Sequence, residues 1–343
     1  MDQMYEIIKK LPKADLHRHL DGSLRTQTIY EVARERNYPL PAGSVDELGR
    51  YVQVSEDCRS LADFLKAFNT FYPLLMNPDV MERAAYEVSE DAYNDNVKYC
   101  ELRFAPVLQA KEGFSMEDIL AGVLKGLKKA HEEFNIINPL ILCCYRSESP
   151  ESSLETVKLA IKYRDKGIVA VDLAGDEEHY PASAHKEAFN LARKNGIQIT
   201  VHAGEAGSVN NIREAVEVLK TDRIGHGIHI LDDNKLYQDF IQRQIPLEMC
   251  LTSNIQTTVV KSYEEHPFSK CFRDGLKVTI NTDDPGVSNI TLSHELYLLH
   301  KYYRFSLDEI KRVILNNVEA SFTTKKRKAL LKQEFEKEFE SRK

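Results

Sequence analysis

The 343-residue sequence predicts a (β/α)8 TIM barrel. Three observations point to it: eight short apolar or β-branched runs, charge-rich amphipathic stretches of helical length between them, and polar side chains gathered where the runs end. Near-continuous apolar strands alternating with helices imply a parallel sheet covered on its outer face. Eight such units favour a closed barrel over a doubly wound sheet. No GxGxxG strand-turn-helix is present to support dinucleotide binding.

Taken in order, the strands are expected over residues 14–20, 99–105, 139–144, 168–174, 197–202, 223–226, 246–251 and 276–281. Between them, "MERAAYEVSEDAYND", "MEDILAGVLKGLKKAHEEF", "SLETVKLAIKYRDK" and "AHKEAFNLARKN" read as helices, with stops at Gly167 and Asn195-Gly196. The span 22–96 is too long for a simple crossover, so extra helices are expected between strands 1 and 2. No low-complexity linker or repeat interrupts the chain. Residues 1–343 therefore read as a single catalytic domain with a charged C-terminal helix over about 324–343. That tail, "TTKKRKALLKQEFEKEFESRK", carries charge on nearly every side, and a solvated helix with opposite-sign pairs is expected.

Composition narrows the class. Hydrophobic residues at 42% support a sizeable core. A net charge of −7 and a pI near 5.9 argue against a nucleic-acid surface. No apolar run approaches the roughly 20 residues of a membrane span. The opening "MDQMYEIIKKLPKADL" lacks the basic start, long apolar stretch and small-residue cleavage site of a secretory signal. Six cysteines at 58, 100, 143, 144, 250 and 271 show no CxxC spacing, so buried free thiols and a cytoplasmic location are expected.

The stretch "DLHRHLDG" carries the first chemistry. In a strand, Asp15, His17, His19 and Asp21 share one face while Leu16 and Leu20 share the other. Two neutral imidazoles at i, i+2 suit one metal ion, although the pair alone better suits an edge strand with a wet polar face. Later strand ends add the rest: "TVHAGEAG" gives His202 and Glu205, "RIGHG" gives His226, and "TINTDDPG" gives Asp283 and Asp284. In a barrel these ends converge on the rim that carries active sites.

His17, His19, His202 and Asp283 make a nitrogen-rich ligand set suited to zinc. Strand 4, "IVAVDLAGDE", offers no lysine to bridge two metals, so one ion is expected. Glu205, three residues beyond a ligand on a glycine-flanked turn, suits a proton carrier. His226, between two glycines, is placed to deprotonate or orient a water. Asp284 would point away from Asp283 in an extended segment and so would contact the water or the substrate. Together these specify metal-assisted hydrolysis or hydrolytic deamination.

"DLHRHLDGSLR", "VDLAGDE", "TVHAGE", "RIGHG" and "INTDDPG", in this order, resemble the adenosine deaminase family of amidohydrolase-type barrels over about residues 10–325. The resemblance implies zinc on His17, His19, His202 and Asp283. It implies that Glu205 protonates purine N1, that His226 and Asp284 position the attacking hydroxide at C6, and that Asp284 meets N7. It further implies that the backbone of Gly175 meets N3, and that His19 and Asp21 meet the ribose 5′-hydroxyl. Adenosine and 2′-deoxyadenosine are the substrates it favours; adenine or a 5′-substituted adenosine is the alternative. Leu61, Phe64, Leu65 and Phe68 fall on one helix face, which suits ordinary core packing; the resemblance suggests an apolar lid over the purine.

Overall fold

Eight parallel strands run in the order β1 (Lys13–His19), β2 (Val97–Phe104), β3 (Leu140–Tyr145), β4 (Ile168–Ala174), β5 (Gln198–Ala203), β6 (Arg223–His226), β7 (Leu247–Met249) and β8 (Val278–Ile280). They belong to a computed structural model that describes residues 2–54, 58, 61–111 and 113–341. The strands are buried almost throughout, as a parallel barrel ringed by helices requires. The expected (β/α)8 barrel is thus observed.

Closure of the ring bears on the site. β8 and β1 share no ladder; beyond the end of β8, a single bridge joins Arg18 and Asp283. There the His19 N–H donates to the Asp283 carbonyl at 2.7 Å and the Asp283 N–H donates to the His17 carbonyl at 2.8 Å. Lower down, side chains replace the missing backbone bonds. Asn281 Oδ1 accepts from the Leu16 N–H at 3.0 Å, and Asn317 Nδ2 donates to the Ala14 and Ile280 carbonyls at 2.8 and 2.7 Å. Buried backbone groups without ladder partners need such substitutes. The seam therefore fixes Asp283 against His17 and His19 through the main chain.

The connection after β1 is as elaborate as its length predicts. It holds helices Thr26–Glu35, Val45–Val52, Leu61–Asn69 and Pro78–Asn94. The last begins with an Asn77 side-chain cap and Pro78 in its first turn.

Two expectations need correction. β7 and β8 are three residues each, shorter than the apolar runs suggested, because Leu251 already opens the helix Leu251–Gln256 and residues 281–283 turn toward β1. The C-terminal helix, Lys325–Ser341, is not solvated all round: Leu331, Phe335 and Phe339 are buried. These positions recur every four residues and form a narrow apolar stripe that the surrounding charges mask in the sequence.

Candidate active site

At the C-terminal ends of the strands the imidazoles converge. His17 Nε2 lies 3.0 Å from His202 Nε2, and His19 Nε2 lies 3.2 Å from the same atom. Asp283 Oδ1 is 3.3 Å from His17 Nε2 and 3.4 Å from His19 Nε2. One ligand atom from each of His17, His202, His226 and Asp283 falls within 4.8 Å of the others. Strand alternation places His17 and His19 on one face as expected. Asp15, lower on that strand, instead accepts from the Thr282 hydroxyl at 2.6 Å and serves the β1–β8 seam. Asp21 lies past the end of the strand, in the 3-10 turn Asp21–Ser23.

Carboxylates grip two of the imidazoles from behind. His17 Nδ1 is 2.8 Å from Glu248, and His202 Nδ1 is 2.9 Å from Asp172. An ionised carboxylate only accepts, so each Nδ1 carries the hydrogen and each Nε2 turns a lone pair inward. Arg103 bonds both carboxylates, at 3.0 Å to Asp172 and 2.8 Å to Glu248, while Arg223 ties Glu248 to Glu101. Burial alone would raise these acids. For Glu248, the Arg103 and Arg223 guanidiniums hold the carboxyl well below its ordinary range. For Asp172, His202 and Arg103 do the same. Two lone pairs facing each other at 3.0 Å repel unless a cation sits between them, so the donor set fits a divalent ion.

Glu205 lies on the turn after β5. Its carboxyl is pushed well above the ordinary range by burial first, then by the charges of Asp283 and Glu177. The turn is held by Glu177, whose carboxylate accepts from the N–H groups of Gly204, Glu205 and Gly207 at 2.7, 2.6 and 3.0 Å. Gly204 has φ +68°, and a Cβ there would approach Ile212 to 2.5 Å; no other residue fits that corner easily.

Asp283 is not extended. Its φ of 61° and that of His226, 59°, put two non-glycine residues in the left-handed region at the site. The kink means the segment is not the extended one the sequence suggested, and both Asp283 and Asp284 line the same cavity. Gly22 makes room for it, since a Cβ there would fall 1.6 Å from Asp284 Oδ1. Asp284 is also raised well above the ordinary range, by burial and then by Asp283.

The cavity of about 750 Å³ is lined by His19, Asp21, Gly175, Glu205, His226, Asp283 and Asp284, with Phe64 and Phe68 at its side. Asp21 Oδ2 accepts from Tyr72 at 3.0 Å, and Gln109 in turn donates to the Tyr72 hydroxyl at 2.7 Å. Asp21 Oδ1 is buried without a partner, and burial raises the group to about 6. The side chains of Leu61 and Leu65 lie outside the described residues; Phe64 is buried and Phe68 half-buried. No lysine or arginine among the described residues lines the cavity.

The sequence reading missed Asp172, Glu248, Arg103, Glu177 and Tyr72. The first three carried a usable signal: charged residues inside strands that are otherwise apolar require partners when buried.

Imidazoles fixed by carboxylates at the C-terminal rim of a parallel barrel place the chain among the metal-dependent barrel hydrolases. A family profile described as adenosine deaminase matches residues 12–338. An adenosine deaminase of Clostridium botulinum is 44% identical over 326 residues, covering 95% of this chain and 98% of that one. A zinc-bound amidohydrolase from Burkholderia ambifaria is 26% identical with a TM-score of 0.91, covering 100% of this chain and 94% of that one. The N6-methyl-AMP deaminase of Arabidopsis thaliana is 31% identical with a TM-score of 0.86, covering 97% and 98%. The chain belongs to the adenosine deaminase family.

Proposed function

We propose that this chain hydrolyses adenosine and 2′-deoxyadenosine to inosine or deoxyinosine and ammonia, using one zinc ion held by His17, His19, His202 and Asp283. The observation that carries the reading is the pair of carboxylate-fixed imidazoles whose Nε2 lone pairs face each other beside a buried Glu205, whose carboxyl burial raises well above its ordinary range. Zinc held by that set would supply the acidification of water to a pKa near 7; the Burkholderia ambifaria relative is a zinc-bound amidohydrolase.

The chain's own groups do the remainder. Glu205, kept neutral by burial, donates its proton to purine N1 and so makes C6 electrophilic. His226 and Asp284 face the same point and orient the attacking oxygen, with Asp284 also available to N7. Gly175 lines the cavity at φ +98° and presents main chain toward N3. Phe64 and Phe68 exclude water from one side of the base. The water oxygen becomes the C6 oxygen of inosine; of its two protons one joins the amine nitrogen, which leaves as ammonia, and the other restores the proton that Glu205 gave to N1.

Substrate choice follows from charge. Asp21 Oδ1 is a buried acceptor without a partner, which a ribose hydroxyl satisfies and free adenine does not. Apart from the groups at the reaction centre, the acidic side chains of Asp21, Asp176 and Glu178 line a cavity whose described residues include no lysine or arginine. A 5′-phosphate would be repelled there, unlike the nucleotide named for the Arabidopsis thaliana relative. Among the described residues no helix is long and apolar enough to cross a membrane, and all six cysteines are buried, in keeping with a cytoplasmic enzyme.

Turnover of adenosine, adenine, AMP and 5′-methylthioadenosine, followed by inosine-type product formation, tests this. Adenosine should exceed adenine and AMP in kcat/KM by at least about 100-fold, on the scale of an unpaired buried polar group or a repelled charge. Preference for adenine or a 5′-substituted nucleoside would replace the assignment.

A further inference from the structure

Behind His226 a buried chain of three hydrogen bonds runs away from the cavity. Asn254 Nδ2 lies 3.1 Å from His226 Nδ1, Asn254 Oδ1 lies 3.2 Å from His266 Nε2, and the Phe268 N–H donates to His266 Nδ1 at 3.2 Å. Asn254 belongs to the helix Leu251–Gln256 that follows β7, and His266 precedes the helix Phe268–Arg273. All three polar side chains are buried.

We propose that Asn254 and His266 are positioning residues that hold His226 with its hydrogen on Nε2, aimed into the catalytic cavity. The proposal rests on the placing of His226 in the deaminase site above. Its polarity is set at the far end, where a backbone N–H can only donate. His266 Nδ1 must therefore accept, so the neutral ring carries its hydrogen on Nε2. Asn254 must then present its oxygen to His266 and its amide hydrogens to His226. His226 Nδ1 is left to accept, and the hydrogen goes to Nε2. Burial keeps His266 neutral by pushing it down to about 3.

This arrangement reverses the one at His17 and His202, where carboxylates take the Nδ1 hydrogen and free the Nε2 lone pair. His226 Nε2 stands 3.5 Å from Glu205 and 3.8 Å from Asp283, close enough to be counted with the metal-binding groups. An amide at 254, rather than a carboxylate, sets this imidazole apart: it offers a hydrogen bond to the attacking oxygen and no lone pair to the ion.

The test is a two-bond 1H–15N spectrum of the full-length, zinc-loaded chain labelled at histidine nitrogens, with His226 assigned from the signals lost in His226→Gln. Wild type should show His226 protonated on Nε2, and Asn254→Asp should move the hydrogen to Nδ1. That variant should lower kcat by about 10²–10³-fold, the scale of a lost or misdirected donor, with KM for adenosine within about threefold. His266→Leu should lower kcat, and His266→Gln, which keeps a donor facing Asn254, should restore most of it. A wild-type spectrum with the hydrogen on Nδ1 overturns the proposal, and so does folded, zinc-loaded Asn254→Asp with unchanged kcat. The spectrum is read without substrate, so an Nε2-protonated His226 in a chain inert toward adenosine would uphold the tautomer while refuting the substrate assignment.

Discussion

The lower and upper halves of the barrel interior both bury charge, and they treat it differently. Below the imidazoles, Arg103 and Arg223 bond to Asp172, Glu248 and Glu101, so each of these three acids has a cationic partner. Above them, Asp21, Glu205 and Asp284 face a cavity whose described lining holds no arginine or lysine, and all three are raised by burial. Pairing makes the lower half a rigid support for the ligands. Its omission above leaves Glu205 and Asp284 raised well above their ordinary range, the direction that suits a proton donor. The same fold supplies both environments within a few ångströms.

The comparison breaks most readily at Glu205. Glu205→Gln keeps the shape and removes the transferable proton, so kcat should fall by about 10²–10⁴-fold while zinc content and nucleoside affinity persist. Steady-state kinetics beside metal analysis decides it; wild-type turnover would mean that the raised carboxyl is incidental.

Removing a partner below should act on stability. Arg103→Met leaves Asp172 and Glu248 buried with one fewer cation, and should destabilise the fold by about 3–5 kcal/mol in denaturant titration as well as loosening metal binding. A loss under 1 kcal/mol would show that the lower network is not a support.

Glu295 sharpens the contrast, being a buried acid outside the cavity whose carboxylate accepts from Thr252. Burial raises it to about 7. The folded state thus retains a proton that the unfolded chain releases above about pH 4.3. Stability from this group is full below that pH and lost as pH rises through about 7. Glu295→Gln should flatten that decline, with a gain of up to about 3 kcal/mol at pH 8 and little change at pH 4.5. Parallel stability–pH curves for variant and wild type would exclude it.

The smallest effect is expected at Phe68. Phe68→Ala should raise KM for adenosine several-fold with little change in melting temperature, because the ring is half-buried at the cavity side. A large drop in melting temperature with normal kinetics would assign it to the core instead.

Much of this was legible in one dimension. The eight strands announce themselves by apolar runs, and the residues at their ends are adjacent once the ring closes. The support behind them was not legible. Asp172 and Glu248 sit 76 positions apart in sequence and are brought together by Arg103 and by the imidazoles they hold, so no local period links them. The polarity of the Asn254–His266 chain depends on one backbone N–H. The kink at Asp283 arises where the main chain substitutes for a missing ladder between β8 and β1. The docked face of the C-terminal helix is a three-residue stripe among charges.

Diffraction from crystals of the purified chain at the zinc edge reaches the central claim directly. One anomalous peak per chain, about 2.0–2.2 Å from Nε2 of His17, His19 and His202 and from an oxygen of Asp283, is the predicted result. A peak elsewhere, two peaks at the site, or full activity in chains shown to be metal-free would contradict it.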